Sequence, residues 1–311
     1  MVYRRLLNTI MNIKPKNITT TLCWRRSFFR TINPDDIKQK GDVYQFGVFD
    51  GSSMRVIAQE LCNLNIPINN FFGFDVFTGM PEEEGEELMN EDWAPGNFNL
   101  VKHGKRFGIK SDNVDDIVQE IEKSIENIFF INNMPIPNVR IFAGLVQETL
   151  TEDLLQHFTI KEASYVDVDF DLYSSSKYGL SELLRHNIIT RDTLVGYDDW
   201  GGKPGYNKFE TGESRAHQEV FEANNINTNL IFHTAAGEGS CQSNLVKNVV
   251  DVDTYRTKGK MVKLGNPDWK WGDVEDIQAV WVVDSKRTVK VTHIESDLRN
   301  RLGERLMKSS N

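Results

Sequence analysis

The stretch ASYVDVDFDLYSSS, residues 163–176, constrains the fold more than any other. It sets Asp167, Asp169 and Asp171 at alternate positions behind an apolar start. On a continuing strand the three would share one face. A parallel strand is buried on both faces, where unpaired carboxylates are too costly to keep. The strand is therefore expected to stop near Asp167 to Asp169 and to deliver its acids to the carboxyl edge of a sheet. TLVGYDDWGG, residues 193–202, repeats the pattern and ends on Asp198 and Asp199. Further apolar runs at 43–46, 70–75, 139–144 and 228–234 alternate with helical patterns at 54–61, 114–125, 147–158, 178–184 and 213–225. Such alternation predicts a doubly wound, mostly parallel α/β sheet. SNLVKNVV, residues 243–250, reads as a seventh strand, antiparallel beside the sixth. Asp112 and Ser174–Ser176 read as caps of the helices that follow them.

VYQFGVFDGSS, residues 43–53, reads as a strand entering a glycine turn and then a helix. Gly47 and Gly51 bracket the turn, and Ser52 and Ser53 are expected to cap the helix. Such a turn brings main-chain N–H groups and a positive helix end close to a ligand. The spacing is looser than the GxGxxG dinucleotide pattern, and the lysine of a phosphate-binding loop is missing. NFFGFDVF, residues 70–77, ends its apolar run on Asp75. In a doubly wound sheet an acid closing the second strand can accept hydrogen bonds from both ribose hydroxyls of a bound nucleoside. The first unit is thus a candidate site for an adenosine-type ligand.

Acids outnumber bases, 45 to 36, for a formal net charge of -9, which disfavours a general nucleic-acid role. No apolar run approaches the ~18 residues of a membrane span. Three scattered cysteines, Cys23, Cys62 and Cys241, offer neither metal spacing nor a disulfide framework and fit a reducing compartment, so a cytoplasmic location is expected. Residues 1–32 hold Arg4, Arg5, Lys14, Lys16, Arg25, Arg26 and Arg30 and no acid. They read either as an organelle transit peptide or as a basic arm packing on its own acidic domain or a partner subunit. The main domain is expected over 33–250. Residues 251–311 read as an appendage with a β-hairpin, 279–283 against 289–293, and a basic helix. Residues 80–113, rich in glycine and charge and holding Trp93 and His103, read as a lid.

The strand-end acids Asp75, Asp167 or Asp169 (or Asp171), Asp198 and Asp199 are expected at one rim. Beyond Asp75 they would repel one another unless a cation or shared protons held them together. Oxygen-only donors suit Mg²⁺ or a similar hard ion; the bland alternative is separate helix and turn caps.

GVFDGSS, GFDVFTGMPEE, the GNF segment, IFAGLVQETL, DFDLYSSS and GYDDWGG occur in an order that resembles the macrocin O-methyltransferase family over residues 41–235. Those are class I S-adenosylmethionine-dependent methyltransferases acting on sugar hydroxyls. The resemblance implies a seven-stranded Rossmann-like methyltransferase fold, S-adenosylmethionine as donor, Mg²⁺, and a small hydroxylated acceptor. It implies Gln45, Phe46, Gly47, Gly51, Ser52, Ser53, Asp75, Val76 and Phe77 on the donor side, and Asp169, Asp198 and Asp199 as metal ligands. Gln45 stands where the family tends to have Glu. Phe46, Phe49 and Trp93 are candidates to face a sulfonium, with the core the simpler place for Phe46. His103 is the first candidate for the base and Asp169 the second catalytic residue. His103 also reads as an ordinary loop histidine, and His157 as structural. Two further readings fit the same sheet: a nicotinamide-dependent oxidoreductase, disfavoured by the missing GxGxxG, and a non-catalytic scaffold or partner subunit. A homo-oligomer is compatible with each reading.

Overall fold

The computed structural model describes residues 20–86, 88, 93–201, 211–233 and 277–283. The strands are β1 (Asp42–Phe46), β2 (Asn70–Asp75), β3 (Asn138–Ala143), β4 (Ala163–Val168), β5 (Leu194–Gly201), β6 (Thr228–His233) and β7 (Ile277–Val283). The helices are α1 (Thr20–Phe29), α2 (Ser52–Asn63), α3 (Leu100–His103), α4 (Val114–Ile131), α5 (Val146–Thr149), α6 (Glu152–His157), α7 (Tyr173–Arg185) and α8 (Gly212–Ala223). The strands form one sheet in the order β3-β2-β1-β4-β5-β7-β6. β1 to β5 run parallel, and β7 is antiparallel to both its neighbours. The predicted class, a doubly wound seven-stranded α/β sheet, is the one observed. The order reverses between β1 and β4, and ligands of such sheets bind outside the carboxyl ends at that switch point.

Each face of the sheet carries a core. Val43 of β1 packs on one side with Ile57 of α2, Ile121 and Phe129 of α4, and Trp24, Phe28 and Phe29 of α1. Tyr44 and Phe46 pack on the other with Phe72, Phe74, Leu180, Leu183, Val195 and Phe221. The period-two alternation of a strand sends neighbouring residues into different cores.

The basic stretch holding α1 is part of this core. Trp24 and Phe28 are four apart, hence on one face of α1, and with Phe29 they are at most 2 % exposed. Phe28 meets Tyr165 and Phe232 ring to ring. Of the two expectations for residues 1–32, packing on the chain's own domain is what residues 24–32 do.

The seventh strand is not where the sequence pattern puts it. Residues 243–250 lie outside the described residues. β7 instead takes Ala279–Val283, expected as half of an appended hairpin, and inserts between β5 and β6. Every residue from Gln278 to Val283 is buried. A run of this kind, AVWVV, cannot leave one face to water, so it belongs inside a sheet covered on both sides. The sheet is therefore not complete at residue 250. The proposed partner strand, 289–293, and the C-terminal basic helix lie outside the described residues.

Three local expectations change. Asn113, not Asp112, caps α4, taking N–H groups of Asp115 and Asp116. The helix expected over 147–158 is two short helices, α5 and α6, with Thr151 capping the second. α2 starts from the left-handed Gly51, and Asp50 rather than Ser52 or Ser53 takes the Ser52 N–H, at 2.8 Å.

At the opposite edge, Asp42 accepts hydrogen bonds from Asn70 Nδ2 (2.8 Å) and the Lys161 N–H (2.7 Å). Burial, partly offset by these bonds, raises its carboxyl to about 6. The folded state then holds a proton that the unfolded state has lost above about pH 4. This group's contribution to stability falls as pH rises to about 6 and is level above it. Asp42→Asn is expected to remove that part of the slope in melting temperature between pH 4 and 6. An unchanged slope would show that Asp42 ionises normally. Phe28→Ala is expected to cost about 3–5 kcal/mol in urea unfolding; a cost within about 0.5 kcal/mol, usual for a surface site, would place α1 outside the core.

Candidate functional site

At the switch point, β1 and β4 end side by side. The Asp169 N–H donates to Phe46 O at 2.9 Å. Gly47 follows with φ +78°, and a Cβ there would lie 1.8 Å from the Asp169 carbonyl oxygen. Only glycine permits both that backbone angle and that approach. The Gly47 N–H donates to Phe74 O, so the turn is tied to β2 as well.

Asp75 closes β2 beneath this turn. One carboxylate oxygen accepts the N–H groups of Val48 (2.8 Å) and Phe49 (2.7 Å), and the other accepts the Phe77 N–H (2.6 Å). A carboxylate has about four acceptor positions, so the oxygen facing Phe77 keeps one for a ligand. Burial raises the Asp75 pKa against these three N–H groups. The sequence expectation that Asp75 and the glycine turn meet is fulfilled. Asp75 also has a structural task there, because it holds the turn's main chain.

The other donor-side candidates differ in what they present. The Phe46 ring is fully buried, stacked on Phe170 at 4.9 Å, and lies in the core. Gln45 is buried; its Nε2 donates to Gly47 O (2.9 Å) and Asp167 Oδ1 (3.0 Å). Its Oε1 is buried without a partner among the described residues. Ser53 is buried on α2, Ser52 is partly exposed, and the Ser52 hydroxyl accepts from Arg55. Val76 is partly exposed, and Phe77 is buried with its carbonyl accepting the Leu100 N–H at the start of α3.

The acids divide into two groups. Asp169, Asp171 and Asp199 each offer one carboxylate oxygen, and the three oxygens lie within 4.8 Å of one another. Asp198, expected in this set, is outside it, and Asp171 stands in its place. Asp198 is nearly buried and accepts from Trp24 Nε1 and from Arg25 Nη1 (3.4 Å). The reason is strand geometry: Gly196 and Asp198 share the α1 face of β5, while Asp199 points to the other. A Cβ at Gly196 would meet the Tyr165 hydroxyl at 2.3 Å and Trp24 at 3.0 Å, so glycine here lets α1 reach the sheet.

Asp167 is fully buried within β4 rather than delivered to the rim. It is held by the Arg25 fork (2.6–3.0 Å), the Tyr165 hydroxyl (2.7 Å) and Gln45. The expectation that no such acid could be buried omitted this partner. Burial works against the charge of Arg25, but Asp167, Asp198 and Asp169 outweigh it and hold its pKa above the ordinary value. Burial raises the carboxyl of Asp198, against Arg25, to about 7. Burial raises Asp169 and Asp171 well above the ordinary range, with added repulsion from Asp198 on the first and from Asp169 on the second.

A sixth acid, Glu213, was not picked out from the sequence. It sits at the start of α8 with no exposure. Its carboxylate accepts the N–H groups of Phe170 (3.1 Å) and Asp171 (3.3 Å) with one oxygen and of Asp199 (3.0 Å) with the other. One side chain thus ties the exits of β4 and β5 together. No motif marks such a residue, since its partners are main-chain atoms distant in sequence.

The segment after Gly79 lies across the starts of α7 and α8. Glu83 accepts the Ser174 N–H, where Ser174–Ser176 were expected to cap the helix themselves. Glu86 accepts the Gly212 N–H (2.6 Å) and pairs with Arg215 (3.2 Å). Trp93 is buried against Leu172. His103, on α3, is exposed, and among the described residues no contact joins it to the acids. His157, at the end of α6, meets the Phe158 ring.

No family model matches the sequence. None of the curated proteins matches it either. Solved structures do. The crystal structure of CalS11, a calicheamicin methyltransferase, aligns at TM-score 0.51 with 18% identity, over 74% of this chain and 81% of its own. The apo structure of CalS11, described as a TDP-rhamnose 3'-O-methyltransferase, gives 0.44 with 19% identity over 73% and 81%. The O-methyltransferase NovP gives 0.42 with 17% identity over 68% and 75%. Among the described residues no helix is long and apolar enough to cross a membrane.

Glu213→Ala is expected to lower stability by about 2–3 kcal/mol, because three part-buried main-chain N–H groups lose their acceptor. Urea unfolding measures it. A loss below about 1 kcal/mol, the scale of a single hydrogen bond, would mean that the two strand exits are held by other contacts. The chain has a Rossmann-like sheet, the fold it shares with the CalS11 crystal structure that aligns at TM-score 0.51.

Proposed function

We propose that this chain is an S-adenosylmethionine-dependent O-methyltransferase whose acceptor is a small sugar-containing or polyhydroxylated molecule. One observation carries the reading: the Gly47 turn with Asp75 and the carboxylates of Asp169, Asp171 and Asp199 meet at one rim, joined through the Phe46–Asp169 main-chain bond. The first half suits an adenosyl ligand, with Asp75 Oδ1 toward the ribose. The unpaired Oε1 of Gln45 is an acceptor for the ammonium of the methionine part. The second half suits a hydroxylated acceptor.

The three carboxylates fit a divalent cation on their own chemistry. They are hard oxygen donors within one ion's reach, and mutual repulsion adds to burial in raising the carboxyls of Asp169 and Asp171. A bound Mg²⁺ would lower the pKa of an acceptor hydroxyl and orient it. The protein's own part is alignment and exclusion of water. The rigid contact of Gly47 with Asp169 sets the donor turn against the acids, and Trp93 with Leu172 closes one side. Asp169 lies at the meeting of the two halves and, with its carboxylate shared between Arg25 and the three-acid group, would hold the acceptor hydroxyl in place through the cation. His103 stands on the lid side, away from any carboxylate contact.

Calorimetry with S-adenosylhomocysteine tests the donor half. Wild type is expected to bind, and Asp75→Ala to bind about ten- to hundredfold more weakly, the scale of hydrogen bonds to a carboxylate. Its melting temperature, taken alongside, separates lost contacts from lost fold. Absence of binding by the wild type would end the proposal.

A further inference from the structure

Six carboxyl groups, Asp167, Asp169, Asp171, Asp198, Asp199 and Glu213, lie around the end of β4, and among the described residues the guanidinium of Arg25 reaches into them. It comes from α1, within the basic stretch that reads from sequence as a transit peptide or as an arm packing on its own acidic domain or a partner subunit. Its side chain has no exposure. Nε and Nη2 grip Asp167, Nη2 also donates to Asp169 Oδ2 at 2.9 Å, and Nη1 lies 3.4 Å from Asp198 Oδ1. The guanidinium lies against the Trp24 ring at 4.6 Å, and Trp24 itself donates to Asp198.

We infer that Arg25 is a positioning residue of the reaction centre: it fixes the carboxylate of Asp169 and the neighbour of Asp199, and so shapes the three-acid group for a divalent cation. The inference rests on the cation reading above. Arg25 touches both strand ends that supply the group, Asp169 after β4 directly and Asp199 through the adjoining Asp198 on β5. One oxygen of Asp169 is committed to Arg25, which sets the plane of that carboxylate. The one positive charge of Arg25 is shared among Asp167, Asp169 and Asp198. A lysine would keep the charge but could not span three carboxylates, since it lacks the planar fork.

The test uses Mn²⁺ as the probe, its binding to the full-length chain followed by electron paramagnetic resonance, beside calorimetry with S-adenosylhomocysteine. Wild type is expected to hold one Mn²⁺. Arg25→Lys is expected to weaken Mn²⁺ binding about 10–100-fold, the usual effect of removing a group that orients a metal ligand, with S-adenosylhomocysteine binding retained. If Arg25→Lys does not fold, the double variant R25Q/D167N removes one cation and one anion together and leaves the net charge of the cluster unchanged; the same weakening is expected. Equal Mn²⁺ affinity in wild type and the folded variant, or no Mn²⁺ site in the wild type, would overturn the inference. Failure of the wild type to bind S-adenosylhomocysteine would sink the donor reading and leave the Mn²⁺ result to stand separately.

Discussion

A sheet that gathers acids at one edge must neutralise them, and here the means is a buried guanidinium. Arg25, whose own side chain has no exposure, meets Asp167, Asp169 and Asp198. Removing one partner from such a cluster typically costs about 3–5 kcal/mol, because a charge is left buried and uncompensated. The aromatic face of α1 makes the pairing possible. Trp24, Phe28 and Phe29 supply apolar contact that holds the helix on the sheet, and Gly196 gives it room. The acids and the helix therefore depend on one another: without α1 the strand ends carry unpaired charge, and without the acids Arg25 is buried alone.

The donor side solves a different problem with a similar device. The turn after β1 exposes main-chain N–H groups, and Asp75 collects two of them, with a third from Phe77 after β2. Across the switch point Glu213 does the same for the exits of β4 and β5. Each carboxylate is fixed by main chain rather than by side chains. A site built this way keeps its shape even where exposed residues around it move, since main-chain donors are set by the strands themselves.

These devices explain what could be read from the residues and what could not. Strand–helix alternation, the Gly47 turn and the acid-ended runs depend on neighbours in sequence, so the doubly wound sheet and the rim of Asp75, Asp169 and Asp199 were legible. The choice between Asp198 and Asp171 was not, because it turns on which face of β5 a helix from the N-terminus covers. Asp167 was misjudged for the same reason: its partner Arg25 lies 142 positions away. β7 was placed too early because an apolar run shows that it is buried, not where in the sheet it pairs. Trp24, Phe28 and Phe29 carried a usable helical signal within the basic stretch, and the absence of acids there drew attention to charge instead.

The two halves of the candidate site meet at Asp169. Its main-chain N–H is bound to Phe46 O, its carbonyl leaves no room for a Cβ on Gly47, and its carboxylate is divided between Arg25 and the three-acid group. Any shift of β4 relative to β1 would therefore move the donor turn and the acids together. Gln45 reinforces this, donating to Gly47 O on one side and Asp167 on the other. Methyl transfer needs donor and acceptor in line at close to contact distance, where an error of about 1 Å costs about a hundredfold in rate. On the proposed methyltransferase reading, anchoring both to the same residue would meet that requirement through the register of two adjacent strands.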